Sequence, residues 1–369
     1  MPAVDRASLS STAARIVLPS SAKATIAATR TGIESFWDNS AGFSAATGTI
    51  VTVGRVVPGH TRAVAADSVD TIEISSLPAE VRAMASRGPR WAAWVDELPA
   101  LVELLMNQWR VRPDGDPAHG YCSLVLPVRT SQDAAAMLKI GFPDAESEHE
   151  HLVLQRWGGH AAVRLLSTDP RHRGLLLERL HATDLGTVSD AEACRVVGDL
   201  YRRIHLPALP QLRSLSDLID RWTAELGALP RNAPIPRRLV EQAIALGTDL
   251  VADHAVERVI HTDLHYGNVL AGDREPWLVI DPKPVNGDPH YEIAPMLWNR
   301  WDEIAGDVRE GVLRRFGTLV DASGFDEDRA RGWVIVRMVH NAMWALQDGP
   351  RCDQGWLTRC IAVAKAVGG

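Results

Sequence analysis

No run of about 18 consecutive apolar residues occurs in the 369-residue chain, so no membrane-spanning helix and no membrane partner is expected. Basic excess is also missing. The net charge is −7, which argues against a nucleic-acid footprint, because phosphate-backbone binding needs clustered positive charge. The four cysteines, Cys122, Cys194, Cys352 and Cys360, are scattered and form no CxxC zinc pair. Thiols in a reducing compartment fit that usage. The first residues lack the basic-then-apolar pattern of a secretory leader, and a cytoplasmic location is the expectation. No G-x-G-x-x-G is present, so a nucleotide loop of that type is excluded. What remains is an ordinary globular balance, 46% apolar and 23% charged, in a chain long enough for two or three packed lobes. The mild acid excess suits a cationic small-molecule partner. Nothing in the sequence sets an oligomeric state.

Residues 1–75 are rich in Ser, Ala, Thr and Gly and poor in large apolar side chains. Burial there could hardly offset ordering entropy, so a loose extension is expected, with short strands near Gly48 to Val57. From Ser76 the texture changes. Apolar residues at helical spacing, broken at Gly88-Pro89, predict two lead-in helices. "YCSLVLPVRT" and "AAAMLKIGF" read as strands. A helix follows from Pro143-Asp144 through "AESEHEHLVLQRW", then the strands "AVRLLSTD" and "GLLLERL". Two strands, a helix and two strands make a small mixed lobe, so 76–180 is taken as the lead-in plus this lobe. Residues 181–369 read as mostly helical, "HYEIAPMLWNRWDEI" among the helices, interrupted by strands only near 259–281. The fold class is therefore α+β and bilobal, with a mixed β/α N-lobe and a larger helical C-lobe.

The interruption carries the chemistry. "HTDLHYGNVL" (261–270) follows the apolar Val259-Ile260, and a second apolar run, Trp277 to Ile280, ends in Asp281. Asp263 precedes Asn268 by five residues, the interval in the catalytic loop H-R-D-x-x-x-x-N of phosphoryl-transfer enzymes. That chemistry needs a carboxylate to hold the acceptor hydroxyl and take its proton. It also needs a nearby amide oxygen for Mg²⁺. Asp281, ending the next strand, is the candidate second metal ligand, since magnesium takes oxygen ligands and keeps several waters. Acids at the ends of two apolar strands need compensation, because a buried carboxylate without a partner costs several kcal/mol.

"VIHTDLHYGNVLAGDREPWLVIDPKPVNGDPHYEIAPMLWN" resembles the phosphotransferase core of the aminoglycoside phosphotransferase superfamily, in particular its streptomycin 6-kinase and hydroxyurea-resistance branch. The resemblance runs from about residue 77 to the end. Asp281-Pro282-Lys283, Gly287-Asp288-Pro289 and Trp298-Asn299 are typical of that branch. The superfamily's usual acid in "DLA" is here Glu292, in "YEIA", a departure that argues against a tight role for that carboxylate. The resemblance implies an ATP- and Mg²⁺-dependent kinase of a small hydroxyl-bearing molecule. An ATP site should then lie in the upstream lobe. Lys139, flanked by apolar residues on a strand, would need an anion, and the α- and β-phosphates would serve. Glu150 shares the inward face of Leu154 and Trp157 and is the first choice for the lysine's partner, with Glu146 the second. Gly120 and Ser123 are the candidate contacts of the loop over the phosphates. Backbone groups from Glu178 to Leu180 would meet adenine, as the resemblance implies.

Rival readings fit less of the chain. A protein kinase of the eukaryotic type would need a long activation segment and an A-P-E, yet helix-like sequence resumes by Tyr291. A zinc hydrolase built on His261, Asp263, His265 and His290 would leave the lysine lobe unexplained. A nucleotide-binding protein without catalysis would not need the full set of polar groups. For the acceptor, Trp298, Trp301, Trp333 and Trp344 are candidates to stack on a sugar or to fill the core. Asp302, Glu303 and Asp348 are candidates to bind ammonium or guanidinium groups. Streptomycin, another aminoglycoside, hydroxyurea and an amino sugar all stay open.

Overall fold

The computed structural model describes residues 76–253, 257–347, 349 and 352–369. The expected extension over 1–75, with its short strands, lies outside the described residues. Helix α1 (Ala79–Ala83) and a 3₁₀ turn lead into α2 (Pro89–Trp109). The break falls at Gly88, whose φ of 152° suits glycine, and Pro89 opens α2 where a missing N–H costs nothing.

The small lobe follows in chain order: β1 (Arg112–Pro113), β2 (Ala118–Gly120), β3 (Ser123–Arg129), β4 (Ala135–Gly141), α3 (Glu150–Trp157), β5 (Leu165–Asp169) and β6 (Gly174–Glu178). The sheet order is β1-β3-β4-β6-β5, with β2 also on β3, and every pairing is antiparallel. The expected two strands, helix and two strands are β3, β4, α3, β5 and β6, and β1 and β2 are additions. Period-two alternation sorts the faces. Leu138 and Ile140 of β4 and Leu176 of β6 join Val95, Leu98, Val102, Leu105 and Met106 of α2 in one apolar cluster. Lys139, between Leu138 and Ile140, therefore points to the opposite face, in register with Val125 and Leu175. Helix α3 begins at Glu150, later than Pro143-Asp144 suggests. The Asp144 carboxylate accepts from the backbone N–H groups of Glu146 and Ser147, at 3.0 and 2.8 Å. This local turn competes with a helical start.

The large lobe holds α4 (Asp190–Ile204), α5 (Leu215–Gly227) and α6 (Arg237–Ala252), then β7 (Arg258–Ile260), β8 (Val269–Ala271), β9 (Trp277–Val279) and β10 (Val285–Gly287). It ends with α7 (Ala294–Trp298), α8 (Val308–Ser323), α9 (Glu327–Gln347) and α10 (Gln354–Gly368). Helix α9 is buried almost all round from Ala330 to Ala345 and forms the lobe's centre. Gly198 lets α4 lie close on α8, because a Cβ there would come within 2.5 Å of the Ala322 Cβ. Strand β10 is an addition, pairing with β7, while β8 pairs with β9. The long helix expected from His290 is broken. A 3₁₀ segment covers Pro289–Ile293, α7 spans five residues, and Arg300 at φ 49° starts another 3₁₀ turn. Pro295 lacks the N–H that a continuous helix from His290 would use there.

The lead-in helix also anchors the loop ahead of α3. The Trp91 ring stacks on Phe142 at 3.7 Å, and Arg90 donates to the Pro143 carbonyl at 2.9 Å. Trp91→Ala is expected to lower unfolding stability by about 3–5 kcal/mol in urea titrations. An unchanged midpoint would show that this stack does not support the lobe.

Candidate active site

Strands β7 and β10 lie side by side, and so do β8 and β9, which brings the loop 261–268 against the loop 280–284. The loops are stitched together by hydrogen bonds. Ile280 N donates to Asn268 O at 2.9 Å, Lys283 N donates to His261 O at 3.0 Å, and His261 Nε2 donates to Ile280 O at 2.9 Å. Two turning points have left-handed backbone, Thr262 at φ 62° and Asp281 at φ 56°. Such conformations in non-glycine residues persist only where the surroundings hold them. Around Thr262 the holders are plain. Its N–H donates to the Glu292 carboxylate, its Oγ1 donates to Lys283 O at 2.6 Å, and its carbonyl accepts from Arg337 Nη2 at 3.0 Å. Glu292 is 1% exposed, and its other oxygen meets His205 Nε2 at 3.1 Å. The doubt that YEIA raises about this carboxylate is thereby corrected: Glu292 is the clamp on the loop.

Asp263 and Asn268 are both buried, and Asp263 reaches the cleft between the lobes through Lys283, which lines it. Asn268 Nδ2 donates to the Asp263 carbonyl at 2.8 Å, which leaves its amide oxygen as the acceptor for a cation. The cleft is lined by Ser123, Lys139, Glu146, Glu150, Asp281 and Lys283 among others. Lys139 Nζ donates to both Glu150 oxygens, at 2.7 and 2.8 Å, and to Asp281 Oδ1. Across from it, Lys283 Nζ lies 2.8 Å from Asp263 Oδ2 and 3.7 Å from Glu146 Oε2.

Charge states follow from these pairs. Burial alone would strip the Lys139 proton, but the Asp281 and Glu150 carboxylates outweigh it and hold the ammonium above its usual range. Burial opposes ionisation of Asp281 and Asp263 too. Lys139 and Lys283 overcome it for Asp281, and Lys283 and His265 for Asp263, so both stay below the ordinary carboxylate range. Glu146 behaves oppositely. Its burial, with Asp144 and Asp263 nearby, outweighs Lys283 and pushes the carboxyl up to about 8.

The structure thus gathers Asp263, Asn268, Asp281, Lys139, Glu150 and Ser123. Glu178 and Leu180 end β6 and begin the link to the large lobe. The Glu178 carboxylate is taken by Arg274 Nη2 at 2.6 Å and by Arg164 N at 2.7 Å, and its backbone N–H donates to Arg164 O at 3.0 Å. Asp302 and Glu303 are exposed on the turn after α7, and Glu303 accepts from Arg300 Nε at 2.6 Å. Trp298 is 5% exposed and packs edge-on against Trp356, which places it in the core and corrects its candidacy as a sugar platform. Trp333 and Trp344 are buried as well. Asp348 lies outside the described residues. The histidines of the zinc reading are engaged otherwise. His261 also accepts from Asp263 N at 3.2 Å, His265 Nδ1 accepts from Gly267 N at 3.1 Å, and His290 bridges Asp288 Oδ1 and Asp326 N. Sequence reasoning passed over Lys283, although a lysine between two prolines just after Asp281 was a usable signal. No local signal marks Glu292.

Comparison with known proteins bears on most of the chain. The family model described as aminoglycoside/hydroxyurea antibiotic resistance kinase matches residues 108–349. A streptomycin 6-kinase of Streptomyces glaucescens is 41% identical, over 76% of this chain and 94% of the relative. A hydroxyurea phosphotransferase of Kitasatospora aureofaciens is 37% identical, over 80% and 86%. Among solved structures, a thermostable mutant of the aminoglycoside phosphotransferase APH(4)-Ia, in a ternary complex with ADP and hygromycin B, aligns with a TM-score of 0.50 at 16% identity, covering 72% of this chain and 98% of that one. A choline/ethanolamine kinase family protein from Mesorhizobium loti aligns with the same score and identity, over 80% and 95%. At such identities these two establish the fold alone.

The raised Glu146 carboxyl has a measurable sign. Its folded value of about 8 exceeds the unfolded value of about 4.3. Between those values the folded state holds a proton that the unfolded state lacks, so stability falls as pH rises through that window. Between pH 6 and pH 8, Glu146→Gln is expected to lose about 1–2 kcal/mol less stability than the unaltered chain in urea titrations. Equal losses in both would refute the assignment.

Proposed function

The chain belongs to the aminoglycoside/hydroxyurea antibiotic resistance kinases and is a phosphotransferase acting on a hydroxyl group; from that premise we propose that it moves the γ-phosphate of ATP, held with Mg²⁺, to a hydroxyl of a streptomycin-like aminoglycoside. The observation that carries the reading is the cleft lined by Lys139, Glu150 and Asp281, with Asp263 paired to the cleft-lining Lys283 and Asn268 bonded to the Asp263 carbonyl. Magnesium nucleotide fits the donors present. Asn268 offers an amide oxygen and Asp281 a carboxylate whose side chain is 40% exposed, both hard oxygen ligands. When bound, the nucleotide supplies the phosphoryl group, and the metal offsets its charge.

Within this reading Lys139, oriented by Glu150, meets the α- and β-phosphates. Ser123, at the turn between β2 and β3, covers them, and the backbone from Glu178 to Leu180 meets adenine. Asp263 holds the acceptor hydroxyl and takes its proton. Transfer through a loose transition state asks little early deprotonation, so positioning is the larger share of the task. The acceptor is read as cationic because the cleft's carboxylates outnumber its lysines, with Asp302 and Glu303 as further acidic candidates. Likeness to a hydroxyurea phosphotransferase favours hydroxyurea as the second acceptor to assay.

Steady-state assays with ATP and streptomycin, other aminoglycosides, hydroxyurea or amino sugars test the acceptor. Once it is identified, Asp263→Asn should cut turnover by about 10²- to 10⁴-fold with nucleotide affinity near that of the unaltered chain. Asp281→Asn should abolish turnover and weaken Mg-ATP binding. Near-normal turnover in Asp263→Asn beside an inactive His265→Ala would end the mechanism.

A further inference from the structure

We infer that Lys283 is a second phosphate-binding lysine, aimed at the phosphoryl group being transferred, with Glu146 as its positioning residue. The inference rests on the kinase reading above and extends it by giving the γ-phosphate its own side chain.

The root of Lys283 is fixed. Pro282 restricts the chain before it, Lys283 N donates to His261 O at 3.0 Å, and Lys283 O accepts from Thr262 Oγ1 at 2.6 Å. Both partners belong to the loop that bears Asp263, so the lysine stem and that carboxylate keep a set relation. Its Nζ lies 2.8 Å from Asp263 Oδ2 and 3.7 Å from Glu146 Oε2, and the side chain is 18% exposed, at the cleft wall.

The two lysines enter the cleft from different lobes with different partners. Lys139 comes from the small-lobe sheet and binds Asp281, the candidate metal ligand. Lys283 comes from the large lobe and binds Asp263, the candidate base. The acceptor oxygen and the transferred phosphorus must meet at Asp263. A carboxylate and a phosphoryl group of like charge repel there unless a cation stands between them. An ammonium group already bonded to the Asp263 oxygen is in that position, and its three donors serve a carboxylate and a phosphate oxygen together. Glu146, reaching from the loop ahead of α3, holds the ammonium from the other side. A plain counterion for Asp263 would have no reason to distinguish nucleotides.

The test is calorimetric titration of the full chain with Mg-ADP and with Mg-AMPPNP, which keeps a γ-phosphate that is not hydrolysed. In Lys283→Met, affinity for Mg-AMPPNP should fall about tenfold more than affinity for Mg-ADP. Lys139→Met should weaken both alike, and Lys283→Arg should keep most of the preference for Mg-AMPPNP. Should the methionine variant fail to fold, Lys283→Gln carries the same expectation. An unchanged ratio of the two affinities in a folded, nucleotide-binding Lys283 variant overturns the inference and leaves the kinase reading standing. Failure of the unaltered chain to bind either nucleotide overturns the kinase reading itself.

Discussion

The Lys139 ammonium is shared between Glu150 of the small lobe and Asp281 of the large one, and the rest of the cleft is arranged around that sharing. Little water reaches the group, so its charge must be met by carboxylates, and they come from two lobes. The strand that carries Lys139 packs on α2 in one apolar cluster, whereas Val153, Leu154 and Trp157 of α3, the helix that bears Glu150, share the cluster of the helices around α9. The interaction sets their relative placement at the site. The Lys283 link to Asp263 and Glu146 repeats the device a few residues away, again joining the two lobes. Because each lysine serves two acids, removing either leaves acids from both lobes without their shared partner.

Holding those acids in place requires backbone that ordinary residues avoid. Thr262 and Asp281 are both left-handed, at a cost of roughly 1–2 kcal/mol each. The compensation comes from deep in the large lobe. Glu292 takes the Thr262 N–H, Arg337 of α9 takes its carbonyl, and His261 spans to the other loop. These groups are themselves buried, so each bond is made where water cannot substitute for it. The stability of the helical core is in this way directed into the geometry of two short loops.

Much of this was legible in the chain, and the reasons are specific. The Asp263 to Asn268 interval and the apolar run before Asp281 are local, and both lie where strand ends place them. Lys139 was readable because alternation along β4 leaves it alone on a face opposite Leu138 and Ile140. Glu150 was readable because helical spacing aligns it with Leu154 and Trp157. Glu292 was not, since its bond to Thr262 spans 30 residues and no local pattern encodes it. Lys283 had a local signal in its flanking prolines and Glu146 in its place ahead of α3, but their meeting across the lobes had none. The late start of α3 was hidden by Asp144, whose side chain closes its own turn. Trp298 looked like a platform because an indole reads the same in a core and at a sugar site until its neighbours are known.

One set of ion pairs away from the cleft-lining residues bears on how the lobes are joined. Arg274, on the turn between β8 and β9, grips Glu178 at the end of β6 and also meets Glu275, which in turn meets Arg203 of α4. The link between the lobes is therefore fastened by guanidinium and carboxylate groups that are only partly shielded. Such fastenings slacken as ionic strength rises, whereas apolar packing does not. The contact between the two halves is thus expected to hold less firmly in brine than in dilute buffer.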